Sequence, residues 1–107
     1  MDIEKIKRKI REGHYAISFT HTEKLRRRKI GAETAEMAVA SGEVIESYPD
    51  DPRGPSCLML GYGEGRRPIH IVFGNLESDR ILIVTAYEPD QMEWEIDWKT
   101  RKKGRQP

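Results

Sequence analysis

The sequence predicts an α+β domain in which N-terminal helices pack on a four-stranded antiparallel sheet and a helical segment follows at the C-terminus. Two observations carry this prediction. Apolar residues recur at helical spacing in the first forty residues, whereas the later chain holds apolar, β-branched runs such as Ile69–Phe73 and Ile81–Ala86. Because the helices come first and the strands follow in series, the helices are expected to cover one face of the sheet.

The first helix is expected to begin after Asp2 and to run to about Glu12, with isoleucines on one stripe and Gly13 at its end. The next segment, Tyr15–Phe19, is either an edge strand or an extended approach to the second helix. Thr20–Glu23 fits a capping box, in which the threonine hydroxyl and the glutamate carboxylate satisfy amides at a helix start. The second helix is therefore expected to begin at this position.

Glycine and proline positions place the remaining elements. A third helix is predicted over Ala32–Ser41, and strands over Glu43–Tyr48 and Ser56–Tyr62, separated by a loop with three prolines. The two apolar runs named above flank a polar loop, residues 75–79, and read as an antiparallel hairpin. Residues 90–102 are predicted to be helical.

Length and composition limit the classes of protein. A chain of 107 residues is expected to form one domain, residues 1–107. It has no apolar run long enough to span a membrane, and its first ten residues alternate charge with isoleucine instead of forming a signal-peptide core. A cytoplasmic protein without membrane contact is therefore expected, as a monomer or weak dimer. The one cysteine, Cys57, lies in an apolar strand pattern and excludes an internal disulfide.

Charge is segregated along the chain. Residues 1–29 carry a net charge of +6, residues 30–64 carry −6 and residues 65–107 carry +1. If the basic clusters converge in space, they form a surface for a polyanion such as RNA. If they do not, they are solvated helix faces. These clusters are Lys5–Arg11, Lys24–Lys29 and Lys99–Arg105.

Polar side chains interrupt two otherwise apolar patterns. In the hairpin, pairing of His70 with Thr85 places both of them and Tyr87 on one face, and Ile71, Phe73, Leu82 and Val84 on the other. In the second helix, His21, Leu25 and Arg28 share one stripe. A histidine and an arginine beside a packing leucine are unusual on a helix face whose only role is to pack in the core.

Three short motifs resemble a known family: His21-x6-Arg28, Pro68-x-His70 and Thr85-x-Tyr87-x-Pro89. The pattern is similar to an uncharacterised domain family of prokaryotes that is grouped with toxins of toxin–antitoxin pairs, in the superfamily of RelE, BrnT and MqsR-type ribonucleases. The resemblance covers about residues 15–102. It implies a RelE-like fold, metal-independent endoribonuclease activity of the mRNA interferase type, and a partner antitoxin of the zinc-ribbon or helix-turn-helix type.

RNA cleavage without a metal needs a base near the 2′-hydroxyl, an acid for the leaving 5′-oxygen, and cations near the phosphoryl oxygens. His21 and His70 are the candidates for proton transfer. Arg28 and Arg101 are candidates for gripping phosphate, and Tyr87 for stacking on a base or donating to phosphate. The expected RNA-binding cations are Lys24, Arg27, Lys29, Lys99 and Lys102.

Each candidate also has a structural explanation. His70 can be a satisfied core histidine, and His21 can bond to the backbone at a helix start. Arg28 can pair with an acidic residue of the last segment, and Tyr87 can be a packing residue whose hydroxyl reaches the rim. Trp94 and Trp98, four residues apart, are most simply docking residues.

No metal or cofactor is expected. The three histidines have no ligand spacing, cysteine pairs are absent, and the glycines of Gly61–Gly65 join two strands and open no helix. Two rival functions remain open: a non-catalytic protein-interaction module, and RNA binding without cleavage. Steep salt dependence without product would favour the second rival.

Overall fold

The computed structural model describes residues 3–18 and 22–102. These residues form three α-helices, five strands and a short 3₁₀ turn at Glu64–Arg66. The helices are α1 (Ile3–Arg11), α2 (Thr22–Arg27) and α3 (Ala32–Ala40), and the strands are β1 (Tyr15–Ile17), β2 (Glu43–Tyr48), β3 (Ser56–Tyr62), β4 (Pro68–Gly74) and β5 (Ile81–Tyr87). The α+β class is confirmed. The proposed capping residue Thr20 lies outside the described residues.

The sheet has the order β1-β5-β4-β3-β2 and is mixed. Strands β2 to β5 form an antiparallel meander, as expected. Strand β1 adds a fifth strand, parallel to β5, through pairs from Tyr15↔Ile81 to Ile17↔Ile83. The prediction of a four-stranded, purely antiparallel sheet is therefore wrong, because a three-residue edge strand carries too short a pattern to reveal its partner.

The helices cover one face of the sheet and form the core with it. The core includes Ile6 and Ile10 of α1, Leu25 of α2, and the small residues Ala35 and Ala38 of α3. Helix α3 lies close to β3, because a Cβ added to Gly61 would stand 1.7 Å from the Ala38 carbonyl oxygen. Glycine at this position permits the close approach.

The hairpin register differs from the expectation by two residues and by a bulge. His70 pairs with Tyr87, and Val72 pairs with Thr85. His70, Thr85 and Tyr87 still share one face, because a shift of two residues preserves the alternation of side chains. An irregularity next to Val84 breaks the alternation, so Leu82 pairs with Gly74. Leu82 and Val84 therefore leave the face of Ile71 and Phe73, on which the sequence placed them, and lie outside the helix-covered core.

Residues 90–102 contain no helix, so the predicted C-terminal helical segment is wrong. The Asp97 carboxylate accepts hydrogen bonds from the backbone N–H groups of Lys99 and Thr100, at 3.0 and 2.9 Å, and closes a turn. Trp98 adopts a left-handed backbone with a φ of 62°, which an α-helix does not accommodate. Local side-chain bonds of this kind compete with helix formation.

We call residues 90–102 the cap. Its two arms meet in an isolated antiparallel bridge between Trp94 and Arg101. Two backbone hydrogen bonds join the arms: Glu95 N–H donates to Thr100 O at 2.8 Å, and Lys102 N–H donates to Glu93 O at 2.9 Å. The cap lies over the sheet face that the helices leave uncovered. None of the described helices exceeds nine residues, so none is long enough to cross a membrane.

Candidate functional site

The sheet face opposite the helices, here the helix-free face, carries His70 and Tyr87. Residues of β3 and β4 alternate between the two faces: Met59 and Ile71 belong to the helix-covered core, and Leu60 and His70 pair with each other on the other side. Tyr87 lies beside His70 on the same face, and their rings stand 5.4 Å apart. The alternation of β4 and β5 therefore brings two of the predicted site residues together.

His70 is fully buried under the cap, with 0% of its surface exposed. Its Nε2 lies 2.6 Å from the carbonyl oxygen of Trp98, so Nε2 carries the proton and donates it. In the neutral ring Nδ1 is then an acceptor, and it has no partner among the described residues. The Trp94 ring packs edge-on against the imidazole at 4.6 Å. Burial lowers the pKa of His70 below its ordinary value, because desolvation penalises the charged form.

Two ion pairs fasten the cap to β2. The Arg101 guanidinium donates to both carboxylate oxygens of Glu46, at 2.8 and 3.0 Å, and stacks over the Trp94 ring at 4.5 Å. Lys99 Nζ lies 3.4 Å from Glu43. The hydrogen bond from Arg101 lowers the pKa of Glu46, which is therefore ionised at neutral pH. Both cap cations are thus already paired with carboxylates.

Arg28 follows α2 and reaches the edge of β5 beyond the point where β1 ends. Its Nη1 donates to the Ala86 carbonyl oxygen at 2.7 Å and lies 3.4 Å from Thr85 Oγ1. Arg67 supports this chain segment by donating to the backbone carbonyls of Arg28 and Lys29, and it pairs with Glu88. Arg28 is thus fixed beside the strand that carries Tyr87, and it does not pair with the acidic residues of the cap.

The remaining predicted cations divide into two groups. Lys24, Arg27 and Lys29 are exposed and make no ion pair with any residue in the ranges 3–18 and 22–102. Lys99 is paired, and Lys102 is exposed at the end of the cap. His21 lies outside the described residues, so its position relative to Arg28 stays a prediction.

An open groove of about 350 Å³ adjoins the capped half of the helix-free face. Val72, Leu82 and Val84 line it, and Tyr48 and Asp51 stand among its polar lining residues. The Tyr48 hydroxyl donates to Glu46. The face therefore has a covered half around His70 and an accessible half with an apolar, polar-rimmed surface.

Sequence reasoning missed Glu46, Tyr48 and Arg67. Glu46 had a usable signal, because it is a carboxylate inside the strand pattern Glu43–Tyr48, where an acid is unfavourable unless it has a partner. Arg67 had none, since its partners are backbone carbonyls distant in sequence. Among the residues that the structure describes, no three His, Cys, Asp or Glu side chains converge as metal ligands.

Comparison with known families decides the classification. A family model described as "Domain of unknown function (DUF4258)" matches residues 21–88, more than half of the chain. The chain belongs to the DUF4258 family. The DUF4258 match includes Arg28, His70 and Tyr87 but ends before the cap and therefore before Arg101. No curated protein and no solved structure gives a significant match.

Proposed function

We propose that this DUF4258 domain is a toxin-like, metal-independent endoribonuclease that binds RNA across the helix-free face and the adjoining end of α2. The observation that carries the proposal is the placement of Arg28, which is held against β5 by Ala86 O and lies beside Thr85 on the strand that ends in Tyr87. A guanidinium fixed near a phenol and next to the exposed cations of residues 24–29 is suited to bind a phosphodiester.

Arg28 retains donors for a phosphate. Within the described residues only its Nη1 has partners, so Nε and Nη2 are available for a two-point contact with phosphoryl oxygens. Lys24, Arg27 and Lys29 would attract the RNA backbone on either side. We expect affinity to fall steeply with salt concentration, because each neutralised phosphate releases counterions.

In the proposed reaction one group removes the proton of the 2′-hydroxyl, which attacks the adjacent phosphorus and displaces the 5′-oxygen. A second group protonates that leaving oxygen. We assign the proton transfers to His21 and His70, charge stabilisation to Arg28 and Arg101, and base stacking or phosphate donation to Tyr87. Cleavage would leave a 2′,3′-cyclic phosphate and a free 5′-hydroxyl and would need no metal ion.

The rival is a non-catalytic module that binds RNA or a protein such as an antitoxin. Two observations favour it: the imidazole of His70 is fully buried, and Arg101 is paired with Glu46. In this reading His70 and Arg101 hold the cap in place, and replacing either lowers stability without changing any activity.

The test is RNA cleavage with the metal chelator EDTA present. Purified wild type is compared with Arg28→Gln and Tyr87→Phe. Arg8→Gln is the control, since Arg8 is exposed on α1, which packs on the opposite face of the sheet. We expect cleavage by the wild type and the control, and at least a tenfold loss in Arg28→Gln, about 1.4 kcal/mol in the barrier. Salt-dependent binding with no cleavage by any form would instead support the rival.

A further inference from the structure

The backbone hydrogen bonds of the cap lie mainly within the cap itself. Its arms are joined by their own backbone hydrogen bonds, Glu95 to Thr100 and Lys102 to Glu93, and its turn is closed by Asp97. Among the described residues, one hydrogen bond joins the cap backbone to the strands, and it runs from His70 Nε2 to Trp98 O. The cap can therefore lift from the sheet while keeping its internal hydrogen bonds.

The two ion pairs between cap and sheet differ in strength. The Lys99 and Glu43 side chains are 47% and 57% exposed, and those of Arg101 and Glu46 are 60% and 23% exposed. The Lys99–Glu43 pair contributes little because water screens it and ordering the two side chains costs entropy. The two-point Arg101–Glu46 contact is the stronger of the two. Trp94, which is 3% exposed, supplies the main apolar contact, whereas Met92 and Ile96 of the same cap face solvent.

Under the closed cap, one side-chain atom of the described residues is buried without a hydrogen-bond partner. Nδ1 of His70 is buried without a partner among the described residues. Burying an acceptor without a hydrogen bond is unfavourable, so the closed state retains a cost that opening would remove. A merely structural histidine would be expected to use both of its nitrogens.

We infer that residues 90–102 form a removable, autoinhibitory cap, and that His70 reaches solvent or substrate only when the cap lifts from the helix-free face. The cap is a feature of this chain beyond the family match, which ends at residue 88. What the open state does rests on the proposed ribonuclease function. The opening itself does not, and it can be measured without RNA.

Acid favours the open state. The ionisable groups around His70 are Glu46 on β2, Tyr87 on β5 and Arg101 in the cap, and the facing residue on β3 is Leu60. Glu46 favours a protonated imidazole, but it is already engaged by Arg101. A proton on Nδ1 would be a buried donor without a partner among the described residues. The protonated ring is therefore better accommodated when the cap is lifted.

Tryptophan fluorescence measures opening directly. The chain has two tryptophans, Trp94 and Trp98, and both are in the cap. Acrylamide quenching is measured in the full chain for wild type, Glu43→Lys, Lys99→Glu and the double variant with the charges exchanged. Each single variant places like charges opposite each other, whereas the exchange restores an ion pair at the wild-type net charge. Arg53→Gln is the control, because it alters an ion pair outside the cap.

We expect both single variants to increase cap opening by about two- to fivefold, although they shift the net charge in opposite directions. The exchange variant should return quenching to the wild-type value, and the control should not change it. Exchange of the His70 C2 proton with deuterium should accelerate in the same variants, because opening admits solvent to the ring.

Unchanged quenching and unchanged His70 exchange in both single variants would overturn the inference. The inference would also be overturned if quenching and His70 exchange increased only in proportion to a loss of global stability in urea, because the cap would then open only when the whole protein unfolds. If RNA is cleaved, both single variants should have a higher kcat than the exchange variant at saturating RNA, where a change in RNA affinity no longer contributes. If no form cleaves RNA, the proposed function fails, while quenching still decides whether the cap opens.

Discussion

Protonation of His70 should make the protein less stable in mild acid. The imidazole is buried and neutral, and its pKa is lowered by desolvation, whereas in the unfolded chain it titrates near its ordinary value of about 6.5. Below that pH the unfolded state binds a proton that the folded state does not, so the free energy of unfolding falls as pH decreases. The contribution is fully present above pH about 6.5 and is lost as pH falls toward the folded pKa.

The pH dependence of the free energy of unfolding is limited by the single proton that His70 gains on unfolding. A single group gives a slope of at most about 1.4 kcal/mol per pH unit. Glu46, Asp51 and Asp97 have lowered pKa values, so their stabilising contributions are lost only in stronger acid. The window between pH about 5 and about 7 therefore isolates histidine.

The assay is urea unfolding followed by circular dichroism at half-unit steps of pH. His70→Phe should lose most of the slope in this window, whatever its absolute stability. His14→Gln is the matched control, because His14 has an exposed side chain, and it should keep the slope. A wild-type slope retained in His70→Phe would refute the reasoning.

Three further predictions concern the fold and the RNA surface. Gly61→Ala should lower the free energy of unfolding by about 3 kcal/mol or more in urea, because the new methyl group meets the α3 backbone at 1.7 Å and the helix must move away. Gly31→Ser, at a position where an added Cβ meets nothing within 4 Å, should change it by less than about 0.5 kcal/mol. Ile10→Ala should cost about 2–5 kcal/mol, because Ile10 is 2% exposed in the core, and a thermal melt shows this. Lys24→Gln with Lys29→Gln should lower the salt slope of RNA binding by about one to two units in a filter-binding titration, and an unchanged slope would place the RNA elsewhere.

The hairpin of β4 and β5 could be predicted because its signals are local. Continuous β-branched runs and a polar loop mark the two strands, and the alternation of side chains puts His70 and Tyr87 on one face even though the register differs by two residues. Such alternation survives an even shift in pairing. The bulge at Val84 could not be predicted, because no glycine or proline marks it.

The predicted helix over residues 90–102 is wrong for a local physical reason. The sequence predicts a helix here with Trp94 and Trp98 as docking residues. Trp94 is buried as a docking residue, but the segment is a turn. Asp97 decides this locally, because its carboxylate bonds to the following backbone N–H groups. The burial of His70 depends on this turn, so sequence patterns around position 70 carry no signal for it. Contacts distant in sequence also fix Arg28 and Arg67.

The central claim is that RNA occupies the helix-free face and the end of α2. The most direct measurement is a two-dimensional amide NMR titration of the wild-type protein with a 2′-O-methyl oligoribonucleotide, which binds like RNA but lacks the attacking hydroxyl. We predict that the largest shifts occur in residues 24–30 and 82–88, at the Arg28 Nε–H group, and in the cap. Shifts confined to α1 and α3, or no shifts at RNA concentrations that saturate a basic surface, would contradict the account.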